Sequence, residues 1–323
     1  MAGRPGAQVI WRAFAGLALA LACATANAQF PAKSVRVVIP FPPGGPTDVL
    51  GRLVAQKMSE STGQAFVIEN RAGGNATIGA AEVAKSAPDG YTVLFNANIF
   101  TITPLLSKAV PYNVSVDFTP IALVAKGPIA LAVNAALPAR TVPELIAYAK
   151  QNPGKLAFAI GSNGSAGHLA TELLRRAADI DILIVPYKGS TPAYQDLIGG
   201  QIQGFMDPVL GAQPHLKGGR IRVLAVTSSR RLPAMTDTPT VAETLRNFEV
   251  YAWYGLWGPK DLPRDMRRVL NAESNKALTA LRPRLVDEGY ELSLGTPEEF
   301  AQFQREDMLR NTKIIQDAGI KGE

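Results

Sequence analysis

Residues 37–55 read Val37-Val-Ile-Pro-Phe-Pro-Pro-Gly-Gly-Pro-Thr-Asp-Val-Leu-Gly-Arg-Leu-Val-Ala55. A β-type run, Val37 to Pro40, enters two prolines and two glycines, and a helical pattern follows at once. Leu50, Leu53, Val54 and Met58 fall on one helical face. Thr47 is the expected N-cap, Asp48 sits in the first turn and Gly63 is the expected stop. A strand, a glycine turn and a helix start leave backbone N–H groups pointing out of the turn, an arrangement that suits an anion. No Lys-Ser/Thr pair follows the glycines and the spacing is not G-x-G-x-x-G, so neither a P-loop nor a dinucleotide fingerprint is present. What remains is a backbone nest suited to a carboxylate, with a plain strand-to-helix turn as the alternative.

The same strand-end, glycine, helix-start arrangement recurs further along the chain. Glu69-Asn-Arg-Ala-Gly-Gly-Asn-Ala-Thr-Ile-Gly79 is the second instance and Gly161-Ser-Asn-Gly-Ser-Ala-Gly167 the third. Turns of this kind lie at the strand C-terminal ends, where open α/β sheets take their ligands. Ser162, Asn163 and Ser165 add side-chain donors. A serine hydrolase would need a base beside one of these serines. His168 lies in the same turn, where capping or packing suits it better, and His215 is the only other histidine. A fourth stretch, Val185–Tyr194, offers Tyr187 as a pocket residue, with Lys188 a solvated charge. A fifth, Gly204-Phe-Met-Asp-Pro208, places Asp207 at a strand end. There it would accept from a ligand amine or hydroxyl, or cap the next turn.

The 323 residues suffice for two ordinary domains, and 47% hydrophobic with 19% charged residues describes a globular chain. The first 28 residues read as a signal peptide, with Arg4 and Arg12, an apolar run from Ala13 to Ala24, and an Ala26-Asn27-Ala28 cleavage site. Its removal lowers the net charge of +6 by two and takes away Cys23, the only cysteine. The mature chain then has no thiol chemistry and no cysteine metal ligand. Two histidines and no D-x-D-x-D-G loop give little for a metal, and no cofactor is expected. Without a dense basic block carrying interleaved aromatics, nucleic acid is not an expected partner. No later stretch has the length of a membrane span. The mature protein is therefore expected to be exported to the periplasm and soluble.

Strand-like segments at Val35–Pro40, Phe66–Glu69, Tyr91–Asn96, Ile129–Val133, Leu156–Ile160, Ile182–Pro186, Gly204–Asp207 and Arg222–Thr227 alternate with helical ones. This pattern predicts α/β architecture with largely parallel sheets. Long helices are expected over Pro263–Leu281 and Pro297–Asp317. No linker divides the chain, so crossings between domains are expected near Ala125–Ile129 and Phe248–Tyr251.

Seven motifs in this order resemble one family. They are Pro43-Gly-Gly-Pro-Thr-Asp48, Ala87-Pro-Asp-Gly-Tyr-Thr92, Gly161-Ser-Asn-Gly-Ser165 with His168-Leu-Ala-Thr-Glu172, Tyr187-Lys-Gly189, Asp196-Leu-Ile-Gly-Gly-Gln201, Pro239-Thr-Val-Ala-Glu243 and Trp253-Tyr-Gly-Leu256. Together they are similar to the Bug-type, or TctC-like, solute-binding proteins of tripartite tricarboxylate transporters. The resemblance covers essentially the whole mature chain. It implies a two-lobed type II periplasmic-binding-protein fold that closes on its ligand. The first lobe would comprise residues 29–126 and 250–323, and the second residues 127–249. It implies a small carboxylate ligand (a di- or tricarboxylate, an amino acid or an aromatic acid) and membrane permease subunits as partners. One wall of the site would be Phe41, Gly44, Gly45, Pro46, Thr47 and Asp48. Gly74, Asn75, Ala76 and Thr77 would form the adjoining wall, and Ser162, Asn163, Ser165, Tyr187 and Asp207 would close from the second lobe. Where the family often has N-R-P-G-A-G-G, this chain reads Asn70-Arg-Ala-Gly-Gly-Asn-Ala76, and Tyr254 stands where Phe is usual. A ligand-sensing module serving a sensor kinase, or a periplasmic enzyme, would use the same cleft.

Overall fold

The computed structural model describes residues 30–216 and 218–318; the expected signal peptide lies outside them. Strand β1 (Val35–Ile39) pairs in parallel with β2 (Phe66–Asn70) and β3 (Thr92–Ala97). Helix α1 (Pro46–Thr62) links the first two, and α2 (Thr77–Ala84) follows the second. Both faces of β1 are covered. Val37 and Ile39 pack with Leu50, Val54 and Met58 of α1, while Val38 packs with Ala80, Leu94 and Phe100 on the other side. Two-residue alternation with apolar residues on both faces is what a strand buried between helix layers requires. Gly63 ends α1 in the left-handed region at φ 70°.

Helix α3 (Ile99–Leu106) leads to β4 (Phe118–Asn134), a 17-residue strand that belongs to two sheets. Its first part, up to Pro128, pairs with β9 (Tyr251–Pro259), and from Ile129 it pairs with β7 (Gly204–Pro208) and β8 (Ile221–Val226). The second sheet continues through β5 (Ala157–Ile160) and β6 (Leu183–Pro186), which pair in parallel. Its helices are α4 (Val142–Gln151), α5 (Ala166–Ala177), α6 (Ser190–Gly199) and α7 (Val209–Leu216). The chain then returns through β9 to α8 (Arg264–Asp287), the two-residue β10 (Glu291–Leu292) and α9 (Pro297–Ala318).

The expectation of largely parallel sheets needs correction. The pairs β3–β9, β4–β9, β4–β7, β4–β8 and β4–β10 are all antiparallel. The alternation of strands and helices reads parallel units correctly. It is blind to the two long segments, β4 and β9, that carry the chain between sheets without a crossover helix. Among the described residues no helix is long and apolar enough to cross a membrane.

The crossing segments are tied together at Thr227, which is fully buried. Its hydroxyl accepts from Ile129 N–H at 2.8 Å and donates to Val250 O at 2.5 Å. Its N–H donates to Ile129 O at 2.9 Å, and its carbonyl accepts from Val250 N–H at 3.3 Å. Close by, the Tyr290 ring lies over Gly127, where an added Cβ would stand 2.3 Å from Cε1. Tyr290 is buried, so it cannot step aside cheaply. Gly127→Ala is expected to destabilise the protein by about 1–3 kcal/mol, seen as a lower thermal midpoint. Gly199→Ala, a helical position with open space around its Cβ, is expected to leave the midpoint unchanged or raise it. Equal midpoints for the two variants would contradict the close packing described at the crossing.

Candidate ligand-binding site

Four helices begin around one cavity between the two sheets. The chain leaves β1 through Phe41-Pro-Pro-Gly-Gly45. Gly44 lies in the left-handed region at φ 84°, and its N–H donates to Asp48 Oδ2 at 2.9 Å. Helix α1 starts at Pro46, with Gly45 as its N-cap and no side-chain cap. Thr47, expected as the cap, is instead the second helical residue, because Pro46 is already in helical conformation. Val49 N–H bonds to Gly45 O, and Pro46 has no N–H. Thr47, which lines the cavity, thus has a backbone N–H with no intrahelical acceptor.

The other three starts arrive from distant parts of the sequence. Helix α3 begins at Ile99 after Asn98, with no side-chain cap. Helix α6 begins at Ser190 after Gly189, which sits at φ 102°, again uncapped. Helix α5 begins after Ser165, whose Oγ accepts only from His168 N–H at 3.1 Å. The start of α5 presses against β7: a Cβ on Gly167 would stand 2.0 Å from Met206 O, so only glycine fits there. Residues 45–47, 97–99, 165–167 and 189–190 all line the cavity, together with Phe41, Ser162, Asp207 and Tyr254. Among the described residues, no lysine, arginine or histidine lines it. Each helix start carries roughly half a positive charge, so the site favours an anion without a cationic side chain.

Asp207 is the one carboxylate in the lining. Its Oδ1 accepts from Ser190 Oγ at 2.8 Å, and its buried Oδ2 has no hydrogen-bond partner among the described residues. Burial pushes this carboxyl up to about 7, against the lowering effect of the Ser190 hydrogen bond. The buried Tyr254 hydroxyl is also without a partner, and burial raises its pKa well above the ordinary phenol value. The Ser162 Oγ donates to Gly161 O at 2.6 Å. None of the lining serines bonds an imidazole ring; His168 reaches Ser165 only through its backbone N–H.

The cavity measures about 50 Å³, small against the several hundred Å³ of an ordinary ligand site. Two hydrogen bonds cross the cleft beside it: Thr191 Oγ1 donates to Pro43 O at 3.0 Å, and Asn75 Nδ2 donates to Asn163 O at 2.7 Å. The Asn75 bond roofs a second, larger chamber of about 520 Å³, lined by Gly74, Asn75, Thr77, Thr103, Asn163 and His168 among others.

The structure places the expected site residues in three groups. Phe41, Gly45, Pro46, Thr47, Ser162, Ser165 and Asp207 line the first cavity, and Gly74, Asn75, Thr77 and Asn163 line the second. Four residues line neither. Gly44 shapes the turn through its positive φ. Asp48 is buried but spent on the loop, accepting from Gly44 N–H, Arg52 Nε at 2.9 Å and Asn70 Nδ2 at 2.8 Å. Burial opposes its ionisation, but those hydrogen bonds outweigh it and hold its pKa below the ordinary value. Ala76 is the buried, left-handed N-cap of α2. Tyr187 turns its hydroxyl to Asp196 Oδ2 at 2.7 Å, and burial, with Asp196, pushes its pKa up to about 12.

Missed from the sequence were Asn98–Ile99, Gly189–Ser190 and Tyr254. Gly189 lay inside a quoted motif, and an N-terminal glycine before a helical run was the available signal.

Residues 50–320 match the family model described as tripartite tricarboxylate transporter family receptor, TctC. Three solved structures share the fold. R. palustris Rpa4515 with adipate is 35% identical, with a TM-score of 0.88 over 91% of this chain and 100% of that one. The periplasmic binding protein BugD is 31% identical, with a TM-score of 0.86 over 91% and 100%. MatC from Rhodopseudomonas palustris with bound malate is 33% identical, with a TM-score of 0.82 over 88% and 100%. The two sheets joined by β4, with a cavity of helix starts between them, thus belong to the TctC, or Bug-type, family of periplasmic solute-binding receptors, and this chain is a member of it.

Proposed function

We propose that this protein is exported to the periplasm, captures a small carboxylate there between two lobes, and delivers it to the permease subunits of a tripartite tricarboxylate transporter. The observation that carries the reading is the convergence of four helix starts on a cavity lined by no cationic side chain. Ordered backbone dipoles stabilise an anion without burying a counter-charge that must itself be desolvated. The adipate and malate carried by two relatives are carboxylates of the size in question. The lobes are residues 29–126 with 250–323, and residues 127–249, with β4 and β9 running between them. A cavity of 50 Å³ bridged by cross-cleft hydrogen bonds fits lobes that part to admit a ligand and close on it. Capture without turnover is the reading that membership of a receptor family favours.

The Thr47 side chain lines the cavity and does not cap the helix, so replacing it tests the site directly. A thermal-shift screen of carboxylic acids identifies a ligand, because whatever binds only the native state raises its midpoint. With that acid, Thr47→Val is expected to lose about 0.5–1.5 kcal/mol of binding by calorimetry, with little change in the ligand-free midpoint. Gly45→Val has an ordinary φ of −77° and no atom closer than 3.9 Å to its Cβ. It is expected to fold and to lose binding by filling the anion seat. A folded Gly45→Val protein that binds as tightly as the parent would defeat the reading.

Asp207 gives a pH test. Its carboxyl keeps a proton up to about pH 7 in the fold, but releases it near 3.8 when exposed. Between those values the native state holds the extra proton, so this group's contribution to stability falls as pH rises. The midpoint of ligand-free Asp207→Asn, relative to the parent, is expected to climb steadily from pH 4 to pH 7. A constant difference would show that Asp207 ionises normally.

A further inference from the structure

Four buried oxygens around the first cavity have no hydrogen-bond partner among the described residues: Asp207 Oδ2 and the hydroxyls of Tyr194, Tyr254 and Tyr290. They come from both sheets. Tyr194 lies on α6 and Asp207 on β7, with the second sheet. Tyr254 lies on β9 and Tyr290 just before β10, with the first. Asp207 and Tyr254 line the cavity, and the Tyr290 ring packs 6.3 Å from that of Tyr254. Burial raises the pKa of all three phenols, and the Asp207 charge raises each further, so the four groups share one field. Two glycines make room for them. A Cβ on Gly211 would stand 2.4 Å from Asp207 Oδ2, and one on Gly127 2.3 Å from the Tyr290 ring.

Nothing around Asp207 supplies a counter-charge. Helix α6 brings Ser190 and Tyr194, β9 brings Tyr254 and the segment before β10 brings Tyr290. The neighbouring parts of α1, α5 and α7 bring Pro46, Gly167 and Gly211, none of which titrates, and β4 sets Ala130 opposite Asp207. Further out, the His215 ring lies 4.5 Å from that of Tyr194, and burial and Arg220 both lower its pKa. Glu288 acts on Tyr290; burial raises its own pKa, and it pairs with Arg284 at 3.3 Å. An ionised Asp207 would therefore meet an arriving carboxylate with no cation between them, and two like charges in a buried site do not both persist. A proton on Oδ2 removes the repulsion and turns that atom into a donor to the ligand. Burial already brings this carboxyl up to about 7, against the opposing effects of Ser190 and Tyr194. A neighbouring anion raises it further.

We propose that Asp207 and its three tyrosines form a proton site between the two sheets, and that the protein takes up a proton from solvent, onto Asp207 Oδ2, with each carboxylate it captures. This rests on the carboxylate reading above and adds a co-ligand to it.

The test is calorimetric titration of the mature protein at about pH 7.5 in buffers of different ionisation enthalpy. The slope of observed heat against buffer heat gives the protons bound per ligand. The probes are adipate and malate, the acids carried by two solved relatives, and any other acid found by the thermal-shift screen. Such acids are ionised at that pH, so they bring no proton of their own. Expected uptake is roughly half a proton or more per ligand, because a carboxyl near 7 is mostly ionised beforehand. Uptake should fade toward about pH 5, where Asp207 already holds its proton, and Asp207→Asn should abolish it. Tyr194→Phe keeps the ring contacts with Phe205 and His215 and removes an unpartnered hydroxyl that favours the ionised Asp207. It is expected to keep the thermal midpoint and to move the uptake profile to higher pH, a shift that a merely structural tyrosine would not cause. If the parent binds an acid with no dependence on buffer, or if uptake survives Asp207→Asn, the proton site is wrong and the carboxylate reading stands. Should Asp207→Asn not fold, the Tyr194→Phe profile decides, and an unmoved profile overturns the proposal. If the parent binds no acid, the carboxylate reading falls, and this inference with it.

Discussion

A helix start leaves backbone N–H groups that must find acceptors, and at the centre of this molecule four helices decline to supply their own. Gly45 and Gly189 have no side chain with which to cap, Asn98 does not use its amide, and Ser165 covers only one N–H. Buried donors without acceptors are rare because they are costly. The cost is concentrated here, where an anion or ordered water removes it. The surrounding glycines follow from the same constraint. Gly167 lets the start of α5 lie on the Met206 carbonyl, and Gly189 lets the second lobe approach Pro42, whose Cδ would stand 2.9 Å from an added Cβ.

The frame that brings these starts together is β4. One strand of 17 residues serves both sheets, so the position of either sheet is referred to the other through continuous backbone. Thr227 fastens the returning segment to it with four hydrogen bonds. The aromatic rings of β9 anchor the first sheet under α9: Trp253 Nε1 donates to Asp307 Oδ2 at 2.9 Å and Trp257 Nε1 to Gln304 Oε1 at 2.7 Å.

Much of this was legible in the sequence, and the division has physical reasons. The turn at Gly44–Gly45, the α1 stripe of Leu50, Val54 and Met58, the stop at Gly63 and the start of α5 are local. Glycine, proline and periodicity determine them within a dozen residues. The antiparallel course of β4 and β9 was hidden because strand direction depends on what pairs with the strand, not on its own residues. The Tyr187 hydroxyl bonds Asp196, a contact a short motif does not announce because it does not say which way its side chain turns. Asp48 holds Gly44 and Arg52 in place, a role visible only once Asn70 arrives from β2. Asn98–Ile99 carried no glycine signature, so the third helix start at the cavity was invisible until folding brought it there.

Asp207 sets what such a site rejects. A carboxyl inside a ring of helix starts would compete with an anion for the same dipoles, and burial, by raising its pKa to about 7, weakens that competition. In its neutral form the acid offers a hydrogen bond to an incoming oxygen, and in its ionised form it repels one. The same group therefore favours a ligand that brings either a proton or a donor to that point of the cavity. It penalises one that presents bare negative charge there, by the desolvation of two like charges at close range. On the proposed reading, the one carboxylate in the lining would shape specificity alongside the N–H groups of the helix starts. The absence of a lysine or arginine in the lining keeps that balance adjustable, because no fixed counter-charge overrides the state of Asp207.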